Sequence, residues 1–257
     1  MAVVIEDVSL EPKDEIHRRK LEALEDFIER LLRSPVRDSI AKMVLHGSVL
    51  DGEAEEESDI DLLVFGTKDL KTLGDVCSDL SFETLLETGE LVEPMVFGLS
   101  EFLIPHSYFI LTALRRGKEV YSMDEKEMLR DAVEGYHLLA TEYLEGAEKS
   151  LAMGHLRVAI DTAHNAAELC AKGFLIGKVE KMPARHGAVV NLFSDLYVKT
   201  GILPAKLGRG LRRALEFRNM ARYEYEAKIT PSMAEETIEL AKELLDRLRE
   251  YILEEWR

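Results

Sequence analysis

The sequence predicts an α+β protein in two parts: a mixed-sheet domain over residues 1–122, then an all-α antiparallel helical bundle over residues 123–257. Three observations lead there. In the first part, short apolar runs of strand length alternate with segments of helical periodicity. From Ser122-Met123-Asp124 onward the periodicity is helical without a break. Glycine and proline are scarce, 16 and 7 in 257 residues, which leaves little room for a turn-rich β architecture.

Over residues 14–32, Leu21, Leu24, Ile28 and Leu31 recur at spacings of three and four. This is the stripe of an amphipathic helix, which Ser34-Pro35 ends. The apolar run ending at Leu45 predicts a strand, Gly47-Ser48 a tight turn, and residues 60–65 a second strand. Residues 69–87 form a helix with Leu70, Leu73, Val76, Cys77, Leu80, Leu85 and Leu86 inward, stopped by Gly89. Residues 91–97 are a third strand, where Pro94 removes a ladder donor and predicts an edge position or a bulge. Glu101-Phe102 and residues 105–117 read as a closing helical segment, and Val120-Tyr121 as a short last strand.

Five helices fill the second part. The first spans residues 125–151. The second, 155–176, presents Ala159, Ala163, Ala166, Ala167 and Cys170 on its packing face, small enough for close helix approach. A loop at 177–183 leads to a third over 185–200, closed by Gly201, and a fourth over 204–225. The last opens at Ile229-Thr230-Pro231-Ser232, where Ser232 and Glu235 fit a capping box. Ile238, Ala241, Leu244, Leu245, Leu248 and Ile252 give it a buried stripe.

Composition narrows the function. No apolar run approaches the ~20 residues of a membrane span. The start, Met1-Ala2-Val3-Val4-Ile5-Glu6-Asp7, lacks the charged opening of a signal peptide. A cytoplasmic protein with no membrane partner is expected, with Cys77 and Cys170 as free thiols. A net charge of -16 argues against broad, nonspecific nucleic-acid binding. The charge is uneven, however. Lys199, Lys206, Arg209, Arg212, Arg213, Arg218 and Arg222 crowd the last third, as a solvated helix face or a local basic surface.

The chemistry gathers between Leu45 and Val64. Successive strand residues point to opposite faces, so Asp59 and Asp61 project from one side, ~7 Å apart. Gly47 lets a phosphate approach the backbone, and Ser48 adds a hydroxyl and an N–H. Paired carboxylates facing such a turn suit Mg²⁺ with substrate phosphates. The plain alternative is a hairpin with surface acids.

His46-Gly47-Ser48, a spacer, and Ser58-Asp59-Ile60-Asp61-Leu62 resemble the signature of the nucleotidyltransferase superfamily typified by DNA polymerase β, especially its small prokaryotic members. That resemblance implies a third carboxylate on the strand after the following helix, where Glu93 is the positional match, although aspartate is commoner there. It implies Asp59, Asp61 and Glu93 as catalytic metal ligands for two Mg²⁺, with Gly47, Ser48 and Ser58 holding an NTP. Prokaryotic members usually carry arginine just after Gly-Ser; here Val49, Leu50 and Asp51 stand there, followed by Glu53 to Glu57. A carboxylate about 10 Å from a phosphate costs about 0.4 kcal/mol at water's dielectric, so this loop weakens nucleotide binding without forbidding it. Arg115, Arg116, Lys118 or the basic helix are the candidates to compensate.

Over residues 125–255, His186-Gly187-Ala188-Val189-Val190-Asn191-Leu192-Phe193, Tyr197 to Pro204 and the Leu211–Arg218 segment with Tyr223 resemble the HEPN helical domain of prokaryotes. The pairing implies transfer of an NMP to a hydroxyl acceptor (small molecule, protein or RNA) presented by the bundle, and by resemblance a homodimer. The alternative is a non-catalytic, antitoxin-like nucleotide-binding module. HEPN ribonucleases need a histidine four to six residues after the arginine. Arg218 is followed instead by Asn219-Met220-Ala221-Arg222-Tyr223, and a tyrosine near pKa 10 is a poor base. Arg218, Asn219, Arg222 and Tyr223 are therefore expected to knit the bundle or line a substrate groove, and His164 and His186 to be satisfied structural histidines.

Overall fold

The computed structural model describes residues 3–6, 8–105, 107–179 and 182–255. The chain divides into two compact units, Met1–Met128 and Leu129–Arg257. The expected helical segment over 105–117 and the loop over 177–183 include residues 106, 180 and 181, which lie outside the described residues.

The first unit opens with an antiparallel hairpin, β1 (Val3–Ile5) and β2 (Val8–Leu10). Helix α1 (Glu15–Arg33) follows, its N-terminus capped by Asp14, whose carboxylate accepts the His17 N–H at 2.8 Å. Then come β3 (Ile40–Leu45), α2 (Gly47–Asp51), β4 (Ile60–Gly66), α3 (Leu70–Thr88), β5 (Val92–Gly98), α4 (Leu99–Leu103), α5 (Tyr108–Arg116) and β6 (Lys118–Ser122). The sheet order is β5-β4-β3-β6, with β3 antiparallel to both neighbours and β4 parallel to β5. Pro94 sits on the edge strand, where its missing N–H breaks no ladder between two neighbours. At Gly47-Ser48 the expected tight turn is instead the start of a short helix, closed by Gly52 in the left-handed conformation.

Period-two alternation gives the sheet two buried faces. Met43, Leu45, Ile60, Leu62 and Val64 pack with Leu24, Phe27, Leu73 and Cys77 of α1 and α3. Val44, Leu63 and Phe65 pack with Ile110 and Ala113 of α5, and Met95, Phe97 and Phe102 join them. The second face bears on function, because odd-numbered positions of β4 and β5 point into it.

The second unit is built on α6 (Glu125–Ala152), α7 (Leu156–Leu175), α8 (His186–Phe193), α9 (Ala205–Tyr223) and α10 (Pro231–Glu255). A π turn at Ser194–Val198 continues α8. Helix α7 packs on α8, α9 and α10, and its small residues permit it: Ala159, Ala163, Ala166, Ala167 and Cys170 are all buried. At Gly173 an added Cβ would lie 2.8 Å from Leu248 of α10, so the two helices meet at a glycine. Phe174, Phe193, Tyr197 and Tyr251 form an aromatic cluster with ring centroids 5.2 to 6.3 Å apart. The capping box at Ser232 does not form as expected, because α10 begins at Pro231. Proline lacks the N–H that a first helical residue leaves unused, so Ser232 falls inside the helix.

Candidate active site

Asp61 lies on β4 directly beside Glu93 on β5 in the parallel register. The alternation that sends Leu63, Phe65, Met95 and Phe97 toward α5 places both acids on that same face, with Asp59 one step before the strand. Asp59 and Glu93 are exposed and Asp61 is half-buried. The three carboxylates do not have oxygens all within 4.8 Å of one another.

Gly47 abuts this pair. Its φ is +77°, and a Cβ built there would overlap Oδ2 of Asp61 and sit 3.0 Å from its Cγ. The His46 N–H donates to the Asp61 carbonyl at 3.1 Å, tying the turn to the start of β4. The His46 ring packs edge-on to Phe109 of α5, centroids 5.7 Å apart. Burial lowers its pKa against the opposing pull of Asp61 and Glu93. Nε2 of His46 has no hydrogen-bond partner among the described residues. Ser48 is half-buried on α2. The Ser58 hydroxyl accepts the Glu55 N–H at 2.9 Å and so closes the loop ahead of Asp59.

A buried strut beneath this loop has no local sequence signal. Lys20 of α1, 1% exposed, pairs with Glu90 at 2.6 Å and donates to the carbonyls of Ser58 at 2.7 Å and Glu56 at 3.2 Å. Arg19 pairs with Glu56 at 2.6 Å, which draws one acid of the 53–57 run onto α1. Arg115 and Arg116 are exposed at the end of α5, and Lys118 reaches the Ser9 carbonyl at 3.1 Å.

The family model for polymerase β nucleotidyltransferases matches residues 27–126, which contain every one of these acids. A Methanocaldococcus jannaschii protein, provisionally named a protein adenylyltransferase, is 36% identical over 74 residues, 29% of this chain and 69% of that protein. The chain belongs to the polymerase β-type nucleotidyltransferase superfamily. Beside this nucleotidyltransferase domain, the HEPN family model matches residues 136–251, most of the second unit. A solved spectinomycin adenyltransferase from Enterococcus faecialis, crystallised with ATP and spectinomycin, aligns with 12% identity and a TM-score of 0.32, over 89% of this chain and 98% of that one.

In the HEPN bundle the four candidate groove residues separate. Asn219, Arg222 and Tyr223 are exposed, whereas Arg218 is 5% exposed. Arg218 pairs with Asp161 at 3.4 Å and lies over the Tyr223 ring, 5.5 Å from its centroid, so it braces α9 on α7. Much of the basic run is ion-paired within the bundle: Lys199 with Asp195, Lys206 with Glu243, Arg213 with Glu236. Of the two histidines, only His164 differs from expectation. His186 is half-buried and bonds Glu168, but His164 is fully buried with neither ring nitrogen hydrogen-bonded. Burial first, with His186 and Arg218 adding to it, drives the His164 pKa down to about 4 despite Glu168. Among the described residues no helix is long and apolar enough to cross a membrane.

Proposed function

We propose that residues 1–122 transfer an NMP from an NTP to a hydroxyl acceptor, and that residues 123–257 present that acceptor. The observation carrying this reading is the register pair Asp61 and Glu93 on one sheet face, against a glycine with no room for a side chain. Three hard oxygen donors on one face fit a magnesium site better than a softer metal. Asp59, Asp61 and Glu93 would hold Mg²⁺, which when bound lowers the acceptor hydroxyl's pKa and offsets charge at the α-phosphate. The Gly47 backbone admits the triphosphate, and Ser48 supplies a hydroxyl and an N–H to it. Arg115 and Arg116 supply positive charge for the β and γ groups. The acceptor hydroxyl gives up its proton to solvent, its oxygen bonds to the α-phosphorus as the bond to the bridging oxygen breaks, and pyrophosphate leaves.

The name of the Methanocaldococcus relative makes ATP and a protein hydroxyl the first donor and acceptor to test. Incubation with Mg²⁺ and each α-labelled NTP, against protein, RNA and small-molecule acceptors, should place label on one of them, and Asp59→Ala or Asp61→Ala should abolish it. Mg²⁺-dependent nucleotide binding without transfer to any acceptor would favour a regulatory, non-catalytic role instead.

A further inference from the structure

We propose that His164, Glu168 and His186 form a binding site for a divalent transition-metal ion, best suited to zinc, that pins the start of α8 to α7. The site is separate from the carboxylates on the sheet, and it does not depend on the transfer reaction.

Geometry comes first. His164 and Glu168 are four residues apart on α7 and so share one face of the helix, while His186 is the first residue of α8. One donor atom from each lies within 4.8 Å of the other two. His164 Nε2 is 4.0 Å from Glu168 Oε2, and His186 Nδ1 bonds that same oxygen. Tetrahedral ligands about 2.0–2.2 Å from zinc stand about 3.3–3.6 Å apart. Small side-chain rotations bring this set to that spacing.

The second observation is independent of the clustering. His164 is 0% exposed, yet neither of its ring nitrogens has a hydrogen-bond partner among the described residues. Buried polar atoms are nearly always paired, because one left alone has lost its water without gaining a partner. A metal bond to Nε2, the nitrogen facing Glu168, satisfies one of them.

Donor chemistry sets the choice of ion. Two imidazoles and one carboxylate are the protein ligands of tetrahedral zinc sites whose fourth position is taken by water. Magnesium and calcium prefer all-oxygen sites, so this cluster discriminates against the ion suited to the nucleotide site. The neighbouring positive charges are already met. Lys172 holds Oε1 of Glu168 at 2.9 Å, fixing the carboxylate and leaving Oε2 for the ion, and Arg218 faces Asp161. The His186 side chain, 40% exposed, opens the site to solvent. Metal uptake replaces the His186–Glu168 hydrogen bond and releases any proton shared there.

The test uses the full chain without a histidine tag, stripped with a chelator and titrated with Zn²⁺ against a competing dye, with Co²⁺ absorption as a second readout. Wild type should take up one equivalent at micromolar or lower free zinc and gain melting temperature. Asp59→Ala/Asp61→Ala should leave this uptake unchanged. Glu168→Gln and His186→Ala should each weaken it by about tenfold or more. Both are chosen because His164→Ala opens a buried site and risks unfolding; circular dichroism would verify their folds. Absence of uptake by wild type, uptake indifferent to His186→Ala and Glu168→Gln, or uptake lost with the two aspartates would each overturn the proposal.

Discussion

At Gly47 the backbone has φ +77° and the space a Cβ needs is already filled by the Asp61 carboxylate. Two penalties therefore fall on Gly47→Ala. The left-handed backbone costs about 1–2 kcal/mol with a side chain present, and the Asp61 carboxylate must shift to make room for the new Cβ. A catalytic group displaced by about 1 Å loses about 100-fold in rate. We expect urea unfolding of Gly47→Ala to report a loss near the backbone figure, while transfer of α-label falls by about 100-fold or more. Wild-type transfer in this variant would show that Asp61 position does not matter. Gly-Ser and the Asp-x-Asp repeat are local features, so these residues were legible in the sequence. His46 and Phe109 were not, because their edge-on contact joins a turn to a helix more than sixty residues later.

At the scale of elements, two long-range braces carry much of the positioning. Lys20 on α1 meets Glu90 ahead of β5 and two carbonyls of the loop ahead of β4. Removing one partner of a buried ion pair leaves the other charged and alone, at about 3–5 kcal/mol. Lys20→Met should lower stability by that amount in urea unfolding, and Lys20→Met/Glu90→Leu by less than the sum of the single changes. In the HEPN bundle, Arg157 of α7 donates to the carbonyls of Met220, Ala221, Glu224, Tyr225 and Ala227, closing the C-terminus of α9. Arg157→Ala should cost about 2 kcal/mol, read from the same unfolding curve with transfer chemistry unchanged. Helical periodicity found α1 and α10 because each buries one stripe, whereas α7 is buried on several sides. On α3 it placed Leu70 and Leu86 inward, but both are exposed, and the buried stripe is Leu73, Cys77, Ser81 and Thr84. Neither brace leaves such a mark, since its partners lie 36 to 70 residues away in the chain. The β1–β2 hairpin, three residues per strand, is too short for alternation to register.

Across the whole molecule, the division of labour follows from two kinds of packing. A mixed sheet with helices on one face and α5 on the other leaves the odd-numbered acids of β4 and β5 at the sheet's exposed end. An alanine-rich central helix lets a bundle close tightly, and brings His164 and Glu168 against His186. The expectation of ordinary structural histidines failed for His164 because satisfaction depends on what surrounds a ring, which spacing alone does not state. The proposed transfer depends on the first of these two arrangements, and the initial rate of α-label transfer in Asp61→Asn, a change that keeps side-chain size, tests it. Transfer should fall to background while the melting temperature stays close to wild type, and in wild type a chelator should stop transfer until Mg²⁺ is restored. Undiminished transfer by Asp61→Asn, or transfer that continues in excess chelator, would contradict it.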